Sequence, residues 1–274
     1  MNLTEIIKNA FIFPSKNLET LSVYAIFSLF SSVFLFEGVI NIIFGIMDLS
    51  TLVIGGIYIT ISIIIGFITR RISIQCIKTG IDLEERLPDF DFFQSFGTGF
   101  KKIIITIVYF LIPAILAVVI GLFTNIFGYL LDLIDAIFSQ TPQLLMKNPS
   151  IAAEPIYNAS FSLFMSLSLT ISIALIIFLI FSFFQAMAEA RLANTGSLKK
   201  ALNIYGAAKD ITRIGVLKVI ILSILIFIIV SIIEFALTFI FDRFLVLSIL
   251  TIVITPYITL FGQRALGLLY SDIV

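Results

Sequence analysis

The sequence contains no histidine and a single cysteine, Cys76, among its 274 residues. Histidine is the side chain most often used for acid–base chemistry near neutral pH, and a lone cysteine forms neither an intrachain disulfide nor a zinc-binding pair. No pair of carboxylates suited to acid–base catalysis lies in the inner half of the predicted membrane region. We therefore expect no catalytic residues, no metal site and no cofactor, and we predict that the protein is not an enzyme.

Charged residues are also scarce. They make up 12% of the chain, whereas hydrophobic residues make up 60% and the mean hydropathy is +1.17. A soluble domain needs a larger polar fraction to cover its surface, so this composition predicts an integral membrane protein. Basic and acidic residues number 17 each, so the net charge indicates no particular partner, and we expect no nucleic acid partner.

Six stretches are long and apolar enough to cross a bilayer, which takes about 20 residues in a helix. Backbone groups in lipid must be hydrogen-bonded within the protein, and the sequence has no alternating strand pattern that would support a barrel. The sequence therefore predicts an all-α fold in which residues 1–274 form a single polytopic membrane domain. The six predicted transmembrane helices lie near residues 20–46, 51–69, 103–131, 158–187, 216–240 and 245–263.

The basic residues predict the orientation of these spans, because cytoplasmic loops carry an excess of lysine and arginine. With the N-terminus placed in the cytoplasm, every lysine and arginine except Lys147 and Arg243 falls on the cytoplasmic side. We therefore predict a multi-pass protein of the cell (cytoplasmic) membrane, with its N-terminus and C-terminus both in the cytoplasm.

Amphipathic segments lie on the predicted cytoplasmic side. In residues 89–102, Phe92, Phe93, Phe96 and Phe100 share one side at helical spacing, which predicts a helix lying in the membrane interface. Two other segments, one at the start of the chain and one before the fifth span, have a similar pattern. We therefore predict three helical hairpins, each preceded by a short amphipathic cytoplasmic interfacial helix.

This layout suggests a threefold internal repeat, since each third of the chain contains an amphipathic segment followed by two spans. The amphipathic segments of the first and last thirds are residues 2–13 and 197–213. The possible repeats cover residues 1–80, 81–196 and 197–274.

Several short patches carry a resemblance to a known family. The most specific is the run Leu87, Pro88, Asp89 and Phe90, which opens the segment LPDFDFF. Others are the segment GSLKKALNIYGAAKDITRIG, which begins at Gly196, and QRALGLLY near the end of the chain. Together they resemble an archaeal membrane family, domain-of-unknown-function family 4013. The resemblance implies an archaeal polytopic membrane protein, and it implies no catalytic residues because the family has no established activity.

Polar side chains recur at the predicted outer ends of the odd-numbered spans. Ionisable residues inside a membrane are candidates for function, and an acidic ring at a channel mouth can attract cations. The alternative is that these side chains reach interfacial water or form hydrogen bonds between helices. The candidates are Glu37, Asn41 and Asp48 on the first span, Asn125, Asp132 and Asp135 on the third, and Glu234, Thr238 and Asp242 on the fifth.

Four arginines lie where the predicted even-numbered spans leave the membrane: Arg70, Arg71, Arg191 and Arg264. Basic residues at such positions set the orientation of a span. The other interpretation is that they bind lipid headgroups or phosphate.

Two prolines, Pro113 in the third span and Pro256 in the sixth, are predicted to kink their helices. Broken helices build transport sites in some carriers. Single prolines without an unwound, glycine-rich neighbour more often serve packing, and both interpretations are kept.

Two functions remain open. The first is a non-catalytic membrane protein that organises or assists membrane partners or lipids, which the amphipathic elements on the inner face support. The alternative is a transporter or channel for a small solute or cation, which the acidic outer stripes and the prolines support. The expected partners are membrane lipids and either an unknown membrane protein or a second copy of the chain.

Overall fold

The computed structural model describes residues 1–45, 48–87, 92–138, 149–241 and 250–274, apart from the side chains of residues 92–95, 149–153 and 240–241. The described residues form ten α-helices and a closing 3-10 turn, Ser271–Ile273. The helices are α1 (Leu3–Lys16), α2 (Leu18–Phe44), α3 (Leu49–Ile81), α4 (Phe92–Phe123), α5 (Ile126–Phe138), α6 (Pro149–Thr195), α7 (Leu198–Ala201), α8 (Ile204–Ile214), α9 (Val216–Phe241) and α10 (Thr251–Tyr270).

Six of these helices are long and apolar enough to cross a membrane, as the sequence predicts. Large apolar side chains are exposed along most of them, as expected where lipid is the solvent. An all-helical chain with six such helices fits a multi-pass membrane protein. The qualifying stretches are Leu18–Phe44, Leu49–Ile81, Phe96–Phe123, Glu154–Thr195, Val216–Phe239 and Thr251–Ile273.

The described residues pack into two compact units. Unit 1 consists of Met1–Thr106 and Phe184–Val274, and unit 2 consists of Ile107–Phe183. The single domain and the threefold repeat inferred from the sequence stay predictions.

The second span is longer than predicted. The sequence places its end near residue 69, whereas α3 continues to Ile81. Arginine and lysine are strong helix formers, so Arg70 and Arg71 do not interrupt it. The two arginines therefore lie about three turns before the end of α3, and not at its end.

The segment predicted as a separate interfacial helix, residues 89–102, is not separated from the third span. From Phe92 onward it belongs to α4, which continues to Phe123. Phe96 and Phe100 pack against Phe67 of α3, with ring centroids 6.0 and 6.2 Å apart. Protein therefore covers part of the apolar side that the sequence assigns to the membrane interface.

The third span, predicted at residues 103–131, ends earlier than predicted. α4 ends at Phe123, and Asn125 adopts a φ of 57° before α5 begins at Ile126. Asparagine tolerates this left-handed conformation better than most residues, because its short polar side chain can bond locally. The polar residues beyond this point therefore lie on α5, a different helix from the span.

Hydroxyl groups compensate for this interruption within unit 2. Ser166 Oγ of α6 donates a hydrogen bond to the backbone oxygen of Thr124 at 2.6 Å. The hydroxyls of Thr124 and Thr170 are also 2.6 Å apart. Backbone groups released by a helix break at membrane depth need such partners, so these contacts make the break tolerable.

In unit 1, α2 and α3 pack as an antiparallel pair because small residues let their backbones approach closely. A methyl group added at Gly38 would lie 3.0 Å from the carbonyl oxygen of Gly55. Nearer the other end, Ser31 and Ser62 each donate a hydroxyl hydrogen bond to the other's backbone oxygen, at 3.1 and 2.7 Å. The arrangement of all six spans as three hairpins stays a prediction.

α10 is the central helix of unit 1. Within its most apolar stretch 44% of the residues are buried, against 6% to 22% in the other five spans. It packs against α3, α1 and α2, and much less against α9, its predicted hairpin partner. The contact with α3 is close enough that a methyl group added at Gly80 would lie 2.8 Å from Gly267 Cα.

α1 is the first of the predicted amphipathic helices, and its apolar face is covered by protein. Ile6, Ala10 and Phe13 are buried, and α1 packs chiefly against α10. Phe11 meets the rings of Tyr257 and Phe261 edge-on, with centroids 5.7 and 5.8 Å apart. Unit 1 thus has an additional layer at one end, where α1 lies over α10.

We expect Gly267→Ala to destabilise the protein by about 1–3 kcal/mol, since it overpacks a backbone contact. The added methyl group would overlap the carbonyl oxygen of Ile77 and lie 2.9 Å from Gly80 Cα. Gly262→Ala is the matched control on the same helix, because nothing lies within 4 Å of its added methyl group. Thermal unfolding of the purified variants in detergent measures the difference, and equal stability of the two would contradict the packing of α3 on α10.

Candidate functional site

A buried ion pair joins α4 to α6 in unit 1. Lys102 Nζ lies 3.1 Å from Glu189 Oε2, and the two side chains are 11% and 8% exposed. Gln185 Nε2 donates to Glu189 Oε1 at 3.2 Å, so both carboxylate oxygens have a partner. Burying charges costs free energy that only good geometry and further hydrogen bonds offset, and this pair has both.

A second buried pair joins α6, α8 and α10. Arg191 Nε lies 2.9 Å from Asp210 Oδ2, and Tyr270 OH donates to the same oxygen at 2.9 Å. Gly206, on the buried face of α8, has no side chain that would occupy the space of the Arg191 guanidinium. Arg191, one of the four arginines for which the sequence leaves both span orientation and headgroup binding open, is therefore engaged within the protein.

Two further ion pairs connect segments distant in sequence. Asp272 pairs with Lys218 at the start of α9, and it accepts a hydrogen bond from the backbone amine of Met1 at 2.8 Å. Lys16 of α1 lies 3.0 Å from Glu85, which follows α3. We call this region the charged end of unit 1, defined by the ion pairs Lys102–Glu189, Arg191–Asp210, Lys218–Asp272 and Lys16–Glu85.

Arg264 of α10 is buried beside the charged end without an ion-pair partner among the described residues. It is 1% exposed, and its Cζ lies 4.2 Å from the ring centroid of Phe13. Its Nε and Nη1 have no hydrogen-bond partner in the described part of the chain. The ring face offsets part of the cost of burying this charge. Arg71 differs, because Gln75 Oε1, with its amide oriented to accept, receives bonds from its Nη2 and Nε at 3.0 and 3.1 Å.

A cavity of about 350 Å³ lies where α1 joins α2, next to α3 and the segment that follows it. We call it the corner pocket, and it is lined by residues 16–20, Val23, Ile72, Gln75, Arg86 and Leu87. Asn17 holds the two sides together: Nδ2 donates to the backbone oxygens of Phe13 and Glu85, at 3.0 and 3.1 Å, and Oδ1 accepts from Leu87 N at 3.0 Å.

Most residues of the predicted outer stripes carry exposed side chains that have no ion-pair partner among the described residues. Asn41 Nδ2 and Thr238 Oγ1 donate to the backbone oxygens four residues earlier on their own helices, at 2.7 and 3.0 Å. The described residues contain no group of three acidic or cysteine side chains able to hold a metal ion. Asn41 is half-buried, Asn125 lies in the turn before α5, and Asp242 lies outside the described residues. The exposed members are Glu37, Asp48, Asn125, Asp132, Asp135, Glu234 and Thr238.

Asp48, also in the predicted stripes, has a structural role as the N-cap of α3. Its carboxylate accepts hydrogen bonds from the Thr51 hydroxyl at 2.6 Å and from Ser50 N at 3.1 Å. The bond from Thr51, followed by those from Ser50, lowers the pKa of this carboxyl below its usual 3.8. The cap therefore stabilises α3 above pH 3.8, and this contribution is lost as the pH falls through the lowered pKa.

The family-like motif is described at its first residue only. Leu87 lines the corner pocket, while Pro88, Asp89 and Phe90 lie outside the described residues. Pro113 and Pro256 lie inside α4 and α10, and both helices continue past them. The kinks at these prolines stay predictions.

Sequence reasoning did not single out Lys102, Glu189 or Asp210. A usable signal existed for Asp210, since it shares one face of α8 with Gly206, Ala207, Ile211 and Ile214. A carboxylate on an otherwise apolar face is buried only if it has a partner. Which cation would provide it depends on how α6 and α8 pack, and periodicity does not show this.

The charged end is suited to holding helix ends together. Each buried carboxylate in it is paired with a cation of another helix, Glu189 with Lys102 and Asp210 with Arg191. Arg86 is an exposed cation near it that has no ion-pair partner among the described residues. An anionic group is therefore the chemistry that this region can still accommodate.

Comparison with known families identifies a match to this chain. A family model described as "Protein of unknown function (DUF4013)" matches residues 73–241, more than half of the chain. The matched range contains both partners of the two most buried ion pairs. No curated protein and no solved structure matches the chain significantly.

We expect Glu189→Leu to destabilise the protein by about 3–5 kcal/mol, because Lys102 would stay buried without its counter-charge. Arg264→Met is expected to be neutral or stabilising, since it removes a buried charge that has no ion-pair partner in the described residues. Unfolding of each variant in detergent, followed by far-UV circular dichroism, measures both effects, with the exposed Lys199→Gln as a control. A loss for Arg264→Met as large as that for Glu189→Leu would contradict this interpretation of Arg264.

Proposed function

The chain belongs to the DUF4013 family, and on that premise we propose that it is a non-catalytic protein that organises membrane lipids or assists a membrane protein partner. Its setting is an archaeal cell membrane, which it crosses six times. It acts through binding, at the charged end and along its apolar helices.

The observation that carries this proposal is the pairing of the buried charges. Lys102–Glu189 and Arg191–Asp210 connect α4, α6 and α8, and Tyr270 adds α10. Charges paired in this way favour one arrangement of helices, because separating them would leave a buried charge without a partner. A rigid charged end on an apolar bundle is what a protein needs to present a fixed surface to lipids or to a neighbour.

The orientation belongs to the same proposal. The charged end contains residues of α1 and α8, and residues near one end of α3, α4, α6, α9 and α10. Most of the lysines and arginines of the chain lie near these residues. Cytoplasmic segments are rich in these residues. We therefore assign the charged end, together with both ends of the chain, to the cytoplasmic side.

A transporter or channel for a small solute or cation is the alternative. The observation that favours it is a groove of about 290 Å³ between α2 and α10, where Ser28, Ser32, Thr255 and Thr259 are part of the lining. Pro256 also lines it and has no N–H to donate to the carbonyl of Ile252, another lining residue. Hydroxyls together with a backbone carbonyl that has lost its helical N–H donor can coordinate a cation at membrane depth.

We expect affinity capture after crosslinking in native membranes to recover a specific second protein or a defined set of lipids with the purified chain. The proposal requires binding without flux, so the same preparation in vesicles should leave their permeability to small ions and solutes unchanged. Empty vesicles and vesicles that contain the exposed Lys199→Gln variant are the controls. A lone protein that increases vesicle permeability would overturn the proposal in favour of transport.

The predicted outer stripes provide a separate test of the alternative. Glu37→Gln together with Glu234→Gln removes two exposed carboxylates that carry no ion pair in the described residues. If the protein does not conduct cations, cation uptake by vesicles with this double variant should equal that of the wild type. A reduced uptake, with unchanged thermal stability, would support a cation-attracting mouth.

A further inference from the structure

We infer that the corner pocket binds the headgroup of an amine-bearing phospholipid, with cationic side chains on its phosphate and Glu19 on its amine. The inference rests on the proposed function, since it specifies which lipid the protein would organise. It is carried by a cavity of about 350 Å³ that combines both signs of charge with apolar side chains.

The pocket is built by hydrogen bonds and does not depend on the proposed ligand. Asn17 is buried, and its amide bonds to the backbone of Phe13, Glu85 and Leu87 at 3.0 to 3.1 Å. These bonds keep the segment after α3 against the α1–α2 junction. The shape of the site is thus present before any lipid arrives, which lowers the entropy cost of binding.

Arg86 is the cation available for a phosphate. It lines the pocket, is exposed, and makes no hydrogen bond or ion pair within the described part of the chain. Lys16 lines the pocket as well, but its Nζ already forms an ion pair with Glu85 Oε2 at 3.0 Å. The planar guanidinium matches the geometry of phosphate oxygens, so Arg86 is the residue that we assign to this contact.

Glu19 distinguishes the corner pocket from a non-selective anion-binding site. It lines the same cavity, is exposed, and has no cationic partner in the described residues. A carboxylate there opposes an anionic headgroup but favours one that carries an ammonium group. Two cations and one carboxylate around one cavity therefore match a headgroup that has a phosphate and an amine.

The remaining lining matches the apolar part of a lipid. Leu18, Val23, Ile72 and Leu87 contribute apolar surface, and Ile72 belongs to the hydrophobic core beneath the pocket. Leu18 is the first residue of α2, the first helix long enough to cross a membrane, and it is 62% exposed. Headgroups lie at the end of such a span, so the charged and apolar linings are at the depth where a phospholipid changes from polar to apolar.

Binding to the purified, delipidated full chain tests the inference. The probes are dioleoyl phosphatidylethanolamine, dioleoyl phosphatidylglycerol and water-soluble O-phosphoethanolamine, with retained lipid counted by native mass spectrometry. The wild type should bind the ethanolamine lipid in preference to the other two probes. The Arg86→Gln variant should bind both the ethanolamine lipid and the glycerol lipid about tenfold more weakly than the wild type, since the substitution removes a charge-assisted contact to phosphate.

Two further variants separate the roles. Glu19→Gln should retain phosphate binding and lose the preference for ethanolamine over glycerol. Arg213→Gln, which changes an exposed arginine of α8 outside the pocket, should bind like the wild type. All three positions are exposed, so these variants should fold, and thermal melting confirms it.

Four results would overturn the inference: unchanged lipid binding by Arg86→Gln, an unchanged preference in Glu19→Gln, a wild type that prefers the glycerol lipid, or tighter binding of O-phosphoethanolamine than of the lipid. None of them contradicts the proposed function if crosslinking still captures a partner. Conversely, increased vesicle permeability with intact ethanolamine binding would remove the proposed function and leave the pocket assignment standing.

Discussion

The structure of unit 1 depends on one constraint, which is that a charge withdrawn from water must find a partner. Lys102 and Glu189 meet this requirement across α4 and α6, and Arg191 and Asp210 meet it across α6 and α8. These side chains are largely buried in protein, so the cost of separating the pairs is higher than at an exposed surface. The pairs therefore determine which helix ends meet.

Away from the charged end, the helices associate by a different means. Lipid tails are as apolar as leucine, so burying leucine gains little in a membrane, and close backbone approach takes over. Gly38 with Gly55, and Gly80 with Gly267, provide that approach in unit 1. In unit 2 the hydroxyls of Ser166 and Thr170 form hydrogen bonds to Thr124, at the break between α4 and α5. An apolar side chain could not form these bonds. The two means together explain how so apolar a chain has specific contacts.

Binding is the chemistry that this arrangement leaves available. The buried carboxylates are committed to cations, whereas the corner pocket keeps Arg86 and Glu19 accessible beside apolar surface. Arg264 illustrates the limit of such reasoning from single residues, because this buried arginine packs against the ring face of Phe13 and forms no ion pair with the described residues. Position relative to a cavity, and not charge by itself, distinguishes a binding side chain from a structural one.

Composition and the length of the hydrophobic runs determined that the described part of this chain is all-helical, with six helices able to cross a membrane. The physical reason is that the hydrophobic thickness of a bilayer sets the length of an apolar helix. Periodicity also identified the amphipathic helix α1. Only tertiary structure decided that Lys102 meets Glu189, that Asp210 meets Arg191, and that Asn17 closes the corner pocket. The physical reason is that these partners are far apart in sequence, and local pattern contains no information about which helix faces pack together.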